Sequence, residues 1–154
     1  MNHRTLFLSD FHLGSHLTKA DNLRDFLHHN DAETIYLVGD IFDIKRLRRS
    51  WYWPKSHRAV VRALFAKARA GTRIVYIPGN HDPDLRGRVG VKLWLGGVEV
   101  VREAVHETAD GRRLLVVHGD GHERDRRSAP TSIKLGILAY LAGVSMSDRI
   151  TGVR

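Results

Sequence analysis

Residues 34–43 read Thr-Ile-Tyr-Leu-Val-Gly-Asp-Ile-Phe-Asp, and the fold is decided here. Thr34–Val38 is a short run of β-branched and aromatic side chains, the composition of a buried strand. It stops at Gly39, and two carboxylates follow, Asp40 and Asp43. A strand that ends in a glycine and paired acids is a carrier for polar chemistry at its carboxyl end.

The same grammar repeats on either side. Upstream, Arg4–Ser9 reads as a strand and runs into Ser9-Asp10-Phe11-His12. Downstream, Arg73–Ile77 reads as a third strand and runs into Gly79-Asn80-His81-Asp82. Val98–Val101 is a short strand. Ala104–Ala109 and Arg113–His118 flank Asp110-Gly111, a pair that predicts a type I′ hairpin turn. The second hairpin strand ends in His118-Gly119-Asp120. In open α/β sheets ligands collect at the carboxyl ends of strands. Four clusters of Asp, His and Asn therefore converge on one edge. Carboxylate, imidazole and amide oxygen are donors for Mn²⁺, Mg²⁺, Zn²⁺ or Fe²⁺. Glycines at 39, 79 and 119 let the backbone approach closely beside a crowded site.

Helices fill the intervals. Asp21–His29 places Leu23, Phe26 and Leu27 on one face, with Asp21 expected as N-cap. Lys55–Ala70 places Val60, Val61, Leu64, Phe65 and Ala68 on one face, opened by Pro54 and closed by Gly71. Strand, helix, strand, helix, strand, then antiparallel strands: the order predicts α/β shading into α+β. A helix-like tail follows at Ile133–Val144.

The whole chain bounds these readings. Its 154 residues fit one domain, 1–154, and 42% apolar with 27% charged residues suits a globular fold. With no cysteine, disulfide scaffolds and thiolate chemistry are excluded, and a reducing cytosol is the expected compartment. The first apolar stretch is only Leu6–Leu8, so no secretory leader is expected. The longest uncharged run, Leu135–Ser147, is too short to span a bilayer.

The formal charge of +8 is concentrated. Between Ile41 and Val75 stand ten basic residues against one acid, Asp43. Lys45, Arg46, Arg48 and Arg49 directly follow the Asp40–Asp43 cluster and are candidates for binding an anionic substrate at the rim of the site. Trp51-Tyr52-Trp53-Pro54 comes next, with the amphipathic character of interfacial side chains. Helix-turn-helix, RRM and zinc-finger signatures are lacking, so specific nucleic-acid binding is not expected.

Taken together, Asp10/His12, Gly39-Asp40…Asp43, Gly79-Asn80-His81-Asp82 and His118 resemble the calcineurin-like metallophosphoesterases. Val38–Asp43, Trp51–Pro54, Tyr76–Asp82, Ala109–Gly111 and Val117–Asp120 look like the branch of UDP-2,3-diacylglucosamine diphosphatases, although His81 stands where well-known members of that branch carry Arg. The resemblance implies a β-sandwich with flanking helices and two divalent ions, Mn²⁺ first. Asp10 and His12 would hold one ion, Asn80 and His118 the other, with Asp40 bridging. His81 would not be a ligand but would face the phosphate as general acid or charge stabiliser, and Asp43 and Asp82 would orient ligands. Two ions about 3.5–4 Å apart clamp phosphoryl oxygens and activate water. The implied substrate is a nucleotide-linked lipid of lipid A synthesis, reached from the cytoplasm with peripheral contact at the anionic inner membrane.

One departure stands out. The resemblance calls for a Gly-His-x-His motif, and the chain reaches Arg154 without it. The chain is accordingly read as a truncated relative, with the second half of the sandwich incomplete and turnover reduced or absent. A phosphodiesterase acting on another nucleotide uses the same metal core. Glu123 is expected to stand in for an acidic family position, and His122 is weighed as a replacement ligand. The histidines at 3, 16, 28, 29, 57 and 106 read as surface or structural.

Overall fold

The computed structural model describes residues 1–88, 92–93 and 97–120. The expectations for Ile133–Val144, Leu135–Ser147, His122 and Glu123 lie outside the described residues. Four strands run parallel: β1 (Asn2–Leu8), β2 (Asp31–Val38), β3 (Arg73–Ile77) and, beyond a two-residue antiparallel strand β4 (Lys92–Leu93), β5 (Val98–Val100). Their order is β1-β2-β3-β5-β4. A separate antiparallel pair, β6 (Ala104–Glu107) and β7 (Arg113–Val116), forms a second sheet.

Alternation along the central strands explains the layering, since successive side chains point to opposite faces. Ile35, Leu37, Ile74 and Tyr76 join a core with helices α1 (Ala20–His29) and α3 (Lys55–Arg69). The intervening Tyr36, Val75 and Ile77 face the other way and pack on Val116 of the hairpin. Helix α3 buries His57, Val60, Val61, Leu64 and Phe65, a stripe spaced at i, i+3, i+4, i+7 and i+8. Each fully buried aliphatic side chain contributes about 1.5–3 kcal/mol.

Two sequence expectations change here, and one element is added. Asp21 is not the cap of α1: the helix begins at Ala20 after Lys19, and Asp21 sits in its first turn, ion-paired to Arg24 at 3.1 Å. The hairpin turn is not type I′, because of Asp110 and Gly111 only Gly111 has positive φ (81°). The N–H of Gly111 donates to the Thr108 carbonyl at 2.9 Å, closing a turn with its single left-handed residue last. A short helix α2 (Ile44–Arg49) also stands over the basic run at 45–49, for which the sequence predicts no element. Its six residues give periodicity too little length to register. Ile44 and Leu47 are its buried anchors.

Register brings the strand ends level. Leu8 pairs with Leu37, Leu37 with Tyr76, and Val38 with Ile77. The residues that follow β1, β2 and β3 therefore emerge side by side at one edge.

Candidate metal centre

The three loops at that edge are knitted by backbone hydrogen bonds. The N–H of Asp10 donates to the Gly39 carbonyl (3.2 Å), that of His12 to Asp40 (2.8 Å), and that of Gly39 to Ile77 (2.7 Å). Ile44 donates to the His81 carbonyl at 3.0 Å. These bonds hold an unusual backbone. Among the described residues, three non-glycine residues have positive φ: Asp10 (57°), His12 (49°) and Asp40 (53°). For L-residues this region costs about 1–2 kcal/mol each. Such strain gathers where the surrounding structure must aim side chains at a functional point.

The side chains so aimed form two groups around one carboxylate. His12, Asp40 and His81 place ligand-type atoms within 4.8 Å of one another, and so do Asp10, Asp40 and His118. Asp40 Oδ2 lies 3.9 Å from His12 Nε2 and 3.8 Å from His118 Nε2. His118 Nε2 lies 4.0 Å from Asp10 Oδ1. These separations are too long for hydrogen bonds. They are also a few tenths of an ångström wider than the about 3.3–3.6 Å between two tetrahedral ligands with bonds of about 2.0–2.2 Å, so a bound ion would draw these donors slightly together. Asp40 is buried and its Oδ1 accepts the His81 N–H at 2.7 Å, leaving Oδ2 to the two imidazoles. The donor set of carboxylates and imidazoles fits divalent ions.

Close packing leaves no room for larger backbone residues. A Cβ on Gly39 would meet the His118 ring at 2.0 Å, and one on Gly79 would meet Asp40 Oδ1 at 2.2 Å. His118 arrives from the hairpin, beyond β7, and docks against both strand-end loops.

Further carboxylates orient the donors. Asp43 caps α2, accepting the Arg46 N–H at 3.0 Å. Its Oδ1 also lies 3.0 Å from His81 Nδ1, and its Oδ2 lies 4.0 Å from His12 Nδ1. Burial pushes the Asp43 carboxyl up, but the His81 and His12 imidazoles and the Arg46 N–H outweigh it and hold it below its ordinary value. Asp82 is fully buried and accepts from Ile41 N–H (3.1 Å), Gly79 N–H and the Tyr76 hydroxyl. It therefore locks the loops after β2 and β3 together. Burial raises the Asp82 carboxyl above the ordinary range despite those donors, and burial beside Asp82 raises the Tyr76 hydroxyl well above its own.

Placement of the other candidates is mixed. Asn80 lies half-buried in the same turn, between Gly79 and His81. The resemblance assigns Asp10 with His12, whereas the geometry sets Asp10 with His118 and His12 with His81, each around Asp40. Arg46 lines an open cleft of about 430 Å³ with Asp10, His12, Lys19, Asp43 and His81. Lys45 and Arg49 are exposed on α2. Arg48 turns away to an ion pair with Asp84, a side chain only 8% exposed. A larger cavity, about 740 Å³, opens at the amino-terminal ends of the strands, lined by Asn2, Arg4, Thr34 and Arg73, and no candidate ligand borders it. Of the aromatic run, Trp53 stacks on Phe42 and Tyr52 on His16, while Trp51 is 61% exposed. Asp120, which the sequence places in the His118 cluster without giving it a role, and Arg86, which sequence reasoning passed over, meet in an ion pair beside His118. The signal was a carboxylate two residues after a ligand-type histidine.

This edge, with its strained donors around a shared carboxylate, carries the signature of a class. The chain belongs to the calcineurin-like phosphoesterases, whose family model matches residues 3–141. It is thereby placed among metal-dependent hydrolases, with the mixed α/β fold of that family. No curated protein matches the chain with significant similarity.

Proposed function

We propose that the protein is a binuclear metal-dependent phosphohydrolase that cleaves the pyrophosphate of a nucleotide-linked amphiphile, in the manner of a UDP-2,3-diacylglucosamine diphosphatase. The observation that carries this reading is Asp40, common to both donor groups, with Oδ2 facing His12 on one side and His118 on the other. A carboxylate shared between two groups of donors is a means of holding two ions about 3.5–4 Å apart, the spacing of two-ion phosphoester sites.

Asp10, His12, Asp40, Asn80 and His118 would hold the ions, Mn²⁺ first among Mg²⁺, Zn²⁺ and Fe²⁺. Bound ions supply Lewis-acid polarisation of the phosphoryl group and a nucleophile derived from water. The chain's own residues do the rest. His81, held by Asp43, borders the cleft and protonates the departing oxygen. Arg46 and Lys19 line the cleft where an anion would enter. Leu17, 83% exposed, lines the same cleft and offers apolar contact to an acyl chain. Exposed Trp51 and the basic α2 favour reversible contact with an anionic membrane face from the cytoplasm. Among the described residues no helix is long and apolar enough to cross a membrane.

The test is hydrolysis by the purified chain with Mn²⁺. Uridine monophosphate and the lipid phosphate should form from UDP-2,3-diacylglucosamine faster than nitrophenol forms from a soluble aryl phosphodiester. Cleavage of the diester alone would move the assignment to another nucleotide substrate. Metal uptake with neither reaction would leave a metal-binding remnant.

A further inference from the structure

The three imidazoles at the site are not held alike. Nδ1 of His81 and of His12 both face Asp43. Nδ1 of His118 is buried and takes no aligned hydrogen bond among the described residues. The carboxylate paired with it is Asp120, whose Oδ1 stands 3.4 Å away. Gly119, at φ 86°, turns the chain between them, so residues two apart in sequence face each other. The other oxygen of Asp120 is taken by the guanidinium of Arg86. Arg86 belongs to a 3₁₀ segment, Pro83–Arg88, that directly follows Asp82. The side chains of His118 and Asp120 are 13% and 15% exposed.

We propose that Asp120 and Arg86 are positioning residues for His118. Arg86 holds the Asp120 carboxylate against the imidazole, and Asp120 accepts a hydrogen bond from Nδ1–H. The Nε2 lone pair is then left facing Asp10 and Asp40. An imidazole binds an ion through its unprotonated nitrogen, and the partner of the other nitrogen decides which one that is. Among the described residues, the arrangement ties the one candidate donor that comes from the hairpin to the segment following β3. This inference rests on the metal reading above.

The experiment measures Mn²⁺ uptake by calorimetry on the full chain and, without metal, the ¹⁵N shifts of the His118 ring. Wild type should show the Nδ1–H tautomer. Asp120→Ala should give mixed tautomers and weaken one of two Mn²⁺ sites by about 10–100-fold, the usual effect of losing a ligand's hydrogen-bond partner. Asp120→Asn keeps an acceptor and should recover part of both, and Arg86→Lys should stay near wild type. A simple tether between hairpin and 3₁₀ segment would move neither the tautomer nor a single site selectively. A folded Asp120→Ala chain with wild-type tautomer and uptake overturns the proposal. If that variant does not fold, Asp120→Asn with unchanged tautomer and uptake overturns it alone. A wild-type chain that takes up no Mn²⁺ overturns the metal reading and this inference with it. Normal wild-type uptake with insensitive variants overturns this inference only.

Discussion

Asp43 and His81 are joined at 3.0 Å, and the same carboxylate caps the helix that begins one residue later. A single side chain thus fixes the orientation of the candidate general acid and the start of the basic helix.

The first prediction follows from that joint role. His81→Ala should lower kcat by about 10²–10⁴-fold, the usual contribution of a general acid, with Mn²⁺ content unchanged. Asp43→Ala should lower kcat too, and should also cost about 1 kcal/mol of stability through the lost cap. Metal analysis of the purified variants decides. Loss of metal from His81→Ala would make His81 a ligand with His12 and Asp40, the grouping its position permits.

Glycine substitutions separate crowding from strain. Gly39→Ala would drive a methyl into the His118 ring at 2.0 Å and occupy φ 68°. It should abolish tight metal uptake and destabilise the fold by more than about 1–2 kcal/mol. Gly71→Ala is the control, since Gly71 has φ 104° and open space around it. It should cost about 1–2 kcal/mol and leave metal uptake intact. Thermal unfolding and metal titration of both variants report the two effects.

A pH dependence follows from His57. The ring is buried, and its Nδ1 accepts the Gly14 N–H at 3.0 Å, which requires that nitrogen to be unprotonated. Burial, with His16 nearby, pulls its pKa below the ordinary 6.5. The unfolded chain therefore binds the proton more readily than the folded one, and stability rises with pH across that interval. The contribution is complete above about 6.5 and is lost as pH falls through the lower folded value. Tm should drop on acidification below pH 6.5, and His57→Gln should flatten that drop. Equal slopes for the two proteins would remove His57 from the account.

The basic helix divides into two roles. Reversing Lys45, Arg46 and Arg49 to Glu should release the chain from anionic vesicles and raise KM for a lipid-linked substrate more than for a soluble diester. Each basic residue near such a surface contributes about 1 kcal/mol, weakened by salt. Arg48→Ala should lower Tm through loss of the Asp84 pair and leave vesicle binding in place. Co-sedimentation at low and high salt separates the outcomes, and equal KM changes on both substrates would make α2 an ordinary surface.

Much of this site was legible because buried parallel strands write themselves as short apolar runs with abrupt polar ends. Leu8, Val38 and Ile77 each mark such an end, and register places them level. What the pattern could not carry is direction. The left-handed bends at Asp10 and His12 decide which donor each faces, and propensity says nothing of them. The role of Asp120 within its cluster was hidden for a similar reason, since its partner Arg86 stands 34 residues away. Helix α2 was missed because its six residues are too few to show a helical period.

The central claim is that Asp40 is shared by two ions, and Mn²⁺ stoichiometry tests it most directly. Titration followed by electron paramagnetic resonance should show two Mn²⁺ per wild-type chain with the signal of a spin-coupled pair. Asp40→Asn should bind at most one, weakly and uncoupled. Two ions bound by Asp40→Asn as in wild type, or a single uncoupled ion in the wild-type chain, would contradict the account.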